Sequence, residues 1–274
     1  MSQAQAGSAA ATASSVSRSR VGLGTQSTVH AVALLRAWSR DPAVVVQAIV
    51  FPAFLLVMFQ LVLGETVTAM GGGDSVYGNV GLVALVGTMF GTISTGLSLT
   101  AERESGLLAR LWTLPVPRIG FITGRLLAET VRTGIGTIVL FVVAIPMGFR
   151  FEQGIAYGVE AIGVAMLCSL GWAVLVIALA TISSGKQIVT HLGALFLLML
   201  FFNSGFVPVT EYPGWLQPIV RYQPMSPAID TMSGLTEGGA IAAPLALTLL
   251  WVAGMTAVFG GLAVRGYRSA AENS

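Results

Sequence analysis

Six apolar runs dominate the pattern of the chain, at about Ala43–Leu63, Tyr77–Leu99, Phe121–Met147, Tyr157–Thr181, Ile188–Phe206 and Ile241–Val264. Each is near the ~20 residues a helix needs to cross a bilayer. Lipid offers no partner for backbone N–H and C=O groups, so each run predicts a transmembrane helix. Glycine and other small residues recur in most of them, which permits close helix packing. Pro52 and Pro146 predict a kink or an end in their helices. Ahead of the first run, Thr25–Arg40 intersperses Val29, Val32, Leu34, Leu35 and Trp38 with His30, Arg36 and Arg40. It reads as a helix lying in the membrane interface with its arginines toward lipid phosphates, or as a plain cytoplasmic lead-in. Asp41-Pro42 ends it, with proline at a tolerated helix start.

Two stretches break the apolar pattern. Glu102–Arg118, between the second and third runs, gathers Glu102, Arg103, Glu104, Arg110 and Arg118. Among them Leu107, Leu108, Leu111 and Trp112 form an i, i+1, i+4, i+5 stripe, one face of a short helix. Pro115 and Pro117 stop that helix. An amphipathic helix between two spans suggests a handle gripped by another protein. The other stretch, Val207–Gly239, holds Pro208, Pro213, Pro218, Pro224 and Pro227 together with Tyr212, Trp215, Leu216 and Tyr222. Tyr and Trp favour the lipid–water interface, so it predicts short re-entrant or interfacial helices in the outer leaflet. Asp230 there reads as a solvated loop carboxylate, with a polar gap at the outer end as the other reading.

Composition fixes the class. The chain is 54% hydrophobic and 9% charged, with mean hydropathy +0.81, against about 25% charged for a soluble domain. An all-α polytopic membrane protein is expected. Of its basic residues only Arg150 and Arg221 fall in the outer loops if the N-terminus is cytoplasmic, so the positive-inside bias puts both termini and Glu102–Arg118 in the cytoplasm. The outer loops are acidic, with Glu65, Asp74, Glu152, Glu211, Asp230 and Glu237. The net charge of +2 therefore sorts topology and does not point to nucleic acid. Residues 1–24, rich in Ala, Ser and Gln, read as a disordered cytoplasmic tail; 25–268 form the membrane domain and 269–274 a second cytoplasmic tail. Cys168, alone in an apolar run, reads as a small core residue.

No catalytic motif emerges. Ser184-Gly185-Lys186 ends like a P-loop, but Ala180 stands where a Walker motif needs glycine. There is no HExxH, no cysteine pair and no serine elbow, and no metal-ligand spacing. His191 reads as an interface residue and Glu160 as an outer-interface one. Arg125, Glu129 and Arg132 are the exception, at i, i+4 and i+7 on one face of the third span. Charges there are costly unless paired or facing water. Arg125 reads as snorkelling to phosphates. Arg132, two turns deeper, stands between snorkelling and a buried network near the Glu102–Arg118 stretch. With no other deep ionisable group, the energy for any transport is expected from a partner subunit that hydrolyses ATP. The alternatives are a self-contained proton-coupled secondary transporter using Glu129–Arg132, and a structural membrane protein without a transport path.

The sequence resembles the membrane subunit, or permease, of ABC type-2 transporters, the group that includes daunorubicin-resistance and phthiocerol-lipid exporters. The resemblance rests on Glu102–Arg118, on the external string PVTEYPGWLQPIVRYQPMSPAID, and on Gly148-Phe149-Arg150-Phe151 followed by Glu152-Gln153-Gly154. It covers about residues 25 to 268. It implies six spans, an N-terminal interfacial helix, a cytoplasmic coupling helix between spans 2 and 3, and a re-entrant segment between spans 5 and 6 carrying Pro208, Pro213, Trp215, Pro224 and Asp230. It implies that Glu102, Arg103, Glu104, Gly106, Leu107, Leu108, Arg110, Leu111, Trp112 and Pro115 couple to the ATPase. It further implies two ATPase subunits holding ATP and magnesium, and a second permease, identical or homologous. The chain itself would bind no cofactor. An amphipathic drug or lipid would leave across the plasma membrane.

Overall fold

The structure, a computed structural model, describes residues 22–69, 75–105, 118–181 and 185–272. Among the described residues every regular element is helical. Helix α1 is Leu23–Arg40. The first apolar run forms α2 (Pro42–Val45), one π-helical turn (Val46–Val50) and α3 (Phe51–Ala69). Then come α4 (Ser75–Glu104), α5 (Arg118–Ala144), α6 (Ile155–Ala180) and α7 (Gly185–Phe201). The Val207–Gly239 stretch folds into α8 (Gln217–Tyr222) and α9 (Met225–Thr236), and α10 is Ala242–Glu272.

Among the described residues, four helices are long and apolar enough to cross a membrane, over Asn79–Glu104, Gly120–Met147, Ile155–Ala180 and Ala242–Gly266. The first and fifth runs form shorter apolar helices, Val46–Val62 and Lys186–Phe201. The fifth run was expected to continue to Phe206, but its helix ends at Phe201. Asn203 accounts for the stop: its Nδ2 donates to the carbonyls of Met199 and Leu200, while its Oδ1 accepts from the Gly205 amide. The carboxamide thus supplies the donors and acceptor that a further turn would have used.

Helices α4 and α6 form the centre. They pack on each other, α10 packs on α6, α7 on α4, α1 on α5, and α9 wedges against both α4 and α6. Leu82, Leu85 and Met89 of α4 meet Val176 and Ile177 of α6 and Ile229 and Met232 of α9 in the core. Gly81 faces α9, where an added Cβ would make ordinary contact with the Ile229 carbonyl at 3.6 Å. The outward faces stay apolar, with Phe54 and Leu61 of α3, Leu198 and Phe201 of α7, and Leu250 and Val258 of α10 exposed. Helices apolar on both their buried and open faces belong in lipid. Cys168 is buried and unpaired.

The prolines act as their geometry requires. Pro52 lacks the N–H that would bond the Ala48 carbonyl, and the π-helical turn directly precedes it. Pro146 sits in a single 3-10 turn, Ile145–Met147, after α5 ends. Gly148 closes that turn at φ 105°, a left-handed conformation that glycine adopts without strain. The chain then turns Phe149 inward to a fully buried place among Phe141, Phe151 and Tyr77.

Candidate functional site

Helix α4 has 30 residues, about 45 Å at 1.5 Å each, longer than a hydrocarbon core of about 30 Å. Its last turn carries Glu102. Helix α5 starts at Arg118 and runs back antiparallel beside it. Arg125, two turns in, thereby faces Glu102. Its Nη2 donates to Oε1 at 2.7 Å and to Oε2 at 2.6 Å. Ser98 Oγ donates to the same Oε1 at 3.3 Å.

Thr95 joins this pair to the next. Its carbonyl accepts from Arg125 Nη1 at 3.5 Å, and its hydroxyl donates to Glu129 Oε2 at 2.9 Å. Glu129 is wholly buried and its other oxygen takes Arg132 Nη2. The Arg132 guanidinium lies over the ring of Trp38 on α1, 5.3 Å from its centroid, a distance at which a cation is attracted by an indole face. Two carboxylates and two guanidiniums thus neutralise one another along a path from the root of the Glu102–Arg118 stretch, through α4 and α5, to α1. Burying such groups singly would cost several kcal/mol each, and pairing offsets that. Gly91 makes room on α4: an added Cβ would occupy the place of the Arg132 guanidinium.

Helix α1 lies on α5 rather than standing alone. Ser27 Oγ and Thr123 Oγ1 are 2.6 Å apart, and His30 meets Phe121 edge to face at 5.1 Å. A Cβ on Gly124 would lie 2.8 Å from the Ser27 carbonyl, so glycine is required for this approach. Arg36 and Arg40 project from the exposed side of the helix. Burial lowers the pKa of His30 below the ordinary histidine value, Arg125 pushes it the same way, and Glu102 opposes.

The structure brings Arg125, Glu129 and Arg132 together with Glu102. Arg125, expected from the sequence to snorkel to phosphates, is instead 5% exposed and bound to Glu102 of α4. Arg103 is half-buried and Glu104 exposed. Gly106, Leu107, Leu108, Arg110, Leu111, Trp112 and Pro115 lie outside the described residues. In the Val207–Gly239 stretch, Pro208 precedes a 3-10 turn and Pro224 caps α9. Pro213 and Trp215 are exposed, and so is Asp230 on the open edge of an otherwise buried helix. Sequence reasoning missed Thr95, Ser98, Gly91 and Trp38. A signal for Thr95 exists: Thr88, Thr92, Thr95 and Glu102 recur at helical spacing along α4.

A family model described as ABC-2 type transporter matches residues 26–236. The chain is 35% identical over 240 residues to the probable doxorubicin resistance ABC transporter permease protein DrrC of Mycobacterium tuberculosis, covering 88% of this chain and 87% of that protein. It is 28% identical over 243 residues to the daunorubicin resistance ABC transporter permease protein DrrB1 of Streptomyces coeruleorubidus, covering 88% and 85%.

Proposed function

The chain belongs to the ABC-2 type transporter family, and from that premise we propose that it is the permease subunit of an ABC exporter, driven by ATP hydrolysed on separate subunits. Its cargo is an amphipathic drug or lipid taken from the cytoplasm or the inner leaflet. Two ATPase subunits, holding ATP and magnesium, and a second permease, identical or homologous, complete the complex in the plasma membrane. In this reading the six apolar runs all span, and both termini are cytoplasmic. The Glu102–Arg118 stretch is the contact with the ATPase.

One observation carries the reading: the root of that stretch is wired into the membrane domain. Glu102 holds Arg125, Thr95 links Arg125 to Glu129, and Glu129 holds Arg132 beneath Trp38. A displacement of the stretch is thereby delivered to α4, α5 and α1 together, which is the mechanical property a coupling element needs. Charges at Arg103 and Glu104 tune recognition of the right ATPase more than raw affinity.

The test is reconstitution of the permease with its ATPase in proteoliposomes. ATP-dependent export of doxorubicin or of a fluorescent lipid is expected, with loss of export when Glu102 and Glu104 are both reversed to lysine. Export that continues without ATP and collapses with the proton gradient would overturn the reading in favour of a secondary transporter.

A further inference from the structure

A cavity of about 20 Å³ lies beside Arg132, between the first apolar run, α4 and α5. A water molecule needs about 10–15 Å³, so the space suits one water and no larger group. Thr88 of α4 and Thr133 and Thr137 of α5 line it, and all three are buried. Their hydroxyls are not in the same state. Thr88 Oγ1 donates to the Ala84 carbonyl at 2.9 Å, and Thr137 Oγ1 donates to the Thr133 carbonyl at 2.9 Å. Those protons are spent, and the two oxygens keep only lone pairs. Thr133 differs: among the described residues its carbonyl is bonded and its hydroxyl is not. That hydroxyl is not sealed in apolar surroundings, because Thr133 opens onto the cavity.

Arg132 borders the same space with a side chain that is 12% exposed, and a guanidinium only donates. Thr88 and Thr137 therefore offer acceptors, while Thr133 and Arg132 offer donors. A water molecule both donates and accepts, and a buried one typically makes about three hydrogen bonds. A cation is opposed by Arg132, and an apolar group leaves the Thr133 hydroxyl unpaired. The remaining wall belongs to the first apolar run, with Ala48 of the π-helical turn and Pro52 of α3. Pro52 has no N–H to give the Ala48 carbonyl. That carbonyl faces α5, since a Cβ on Gly136 would lie 3.4 Å from it.

We propose that this cavity binds one ordered water, held by Thr133 and Arg132 as donors and by Thr88 and Thr137 as acceptors, where the π-helical turn meets the charged path of α4 and α5. Bonds through a water re-form as it exchanges, so the turn can shift against α4 and α5 without stranding a buried donor. The site belongs to the single chain and does not depend on its cargo.

Radiolytic footprinting tests it. X-rays split water wherever it sits, so a bound water oxidises the side chains it touches. Photolysed hydrogen peroxide makes the same radicals in bulk solvent. Leu140 lines the cavity and is 3% exposed, out of reach of bulk radicals. The full chain in dodecyl maltoside micelles is treated both ways, and oxidation is read by peptide mass spectrometry. Oxidation of Leu140 is expected with X-rays and not with peroxide, while exposed Trp215 is oxidised by both. Thr133→Val keeps the shape but removes the hydroxyl, and should abolish the Leu140 signal. Thr133→Ser keeps the hydroxyl and should keep the signal. A detergent tail in the cavity would leave Leu140 unoxidised in the wild-type chain, and entry of bulk solvent would oxidise it with peroxide as well. Either result, a signal that persists in folded Thr133→Val, or one lost equally in Thr133→Ser, would overturn the proposal.

Discussion

A single nitrogen of Arg125, Nη2, reaches both carboxylate oxygens of Glu102, at 2.7 and 2.6 Å, from a helix on the far side of the Glu102–Arg118 stretch. The contact fixes the end of α4 to the second turn of α5. Arg125 is 6% exposed at its side chain and Glu102 21%, so the pair lies between a surface bridge worth 0–1 kcal/mol and a buried one worth more. Arg125→Ala and Glu102→Ala should each lower stability by about 1–3 kcal/mol. The swap Glu102→Arg with Arg125→Glu should recover part of the loss. A double-mutant cycle on thermal unfolding in detergent measures it, and a coupling energy below about 0.5 kcal/mol would show that the pair is not energetically joined.

Glu129 depends on two partners, Thr95 and Arg132, in a place without solvent. Thr95→Val removes the hydroxyl but keeps the shape, and leaves one carboxylate oxygen short of a donor. A loss of about 1.5–3 kcal/mol is expected, since the bond is to a charged group. Glu129→Gln should cost about 3–5 kcal/mol because Arg132 is then buried without a counter-charge. Adding Arg132→Met to Glu129→Gln should restore much of it. Melting temperatures of the three variants decide this: a double variant no more stable than Glu129→Gln would mean that charge imbalance is not the source of the loss.

Two glycines set the spacing of this region, and they can be probed by one methyl group each. At Gly124 an added Cβ would meet the backbone carbonyl of Ser27 at 2.8 Å and His30 Cβ at 2.9 Å. Neither neighbour is the flexible end of a side chain, so α1 must move away from α5. Gly124→Ala should destabilise by about 1–3 kcal/mol and raise proteolysis of α1. Gly91→Ala should instead displace the Arg132 side chain and leave α1 in place. Gly163 has open space around its Cβ position, and Gly163→Ala should be neutral or slightly stabilising, because alanine favours helix. Equal protease sensitivity of α1 in all three variants would rule out this role for Gly124.

Much of the scaffold was legible because it depends on local pattern. The apolar runs, the Asp41-Pro42 break and the breaks at Pro52 and Pro146 all follow from composition and from proline's missing donor. The shared face of Arg125, Glu129 and Arg132 was legible too, from helical spacing. Their partners were not. Glu102 meets Arg125 only because α5 returns beside α4 at a particular register, and no periodicity encodes the register between two helices. Trp38 finds Arg132 for the same reason, through the fold of α1 onto α5. The early end of the fifth helix was hidden differently. Asn203 stops it through side-chain hydrogen bonds in the middle of an apolar run, where hydropathy alone reads straight through.

His30 gives the α1–α5 contact a sense of pH. It meets Phe121 edge to face, and burial first, then Arg125, lowers its pKa, while Glu102 raises it. The folded protein therefore favours the neutral ring, and the unfolded chain binds the proton more readily. The contribution of His30 to stability is complete above the unfolded value of about 6.5. It declines as pH falls below that value and levels off below the lower folded one. Thermal unfolding from pH 8 to pH 5 should show a decline across that window in the wild-type chain. His30→Gln keeps a polar side chain without a titrating ring and should flatten that component while leaving the acid losses of the carboxylates at lower pH. Arg125→Gln removes one cation beside the ring, so it should move the onset of levelling to higher pH. If the decline is unchanged in His30→Gln, the proton is taken up elsewhere and the contact is not the pH-sensitive element.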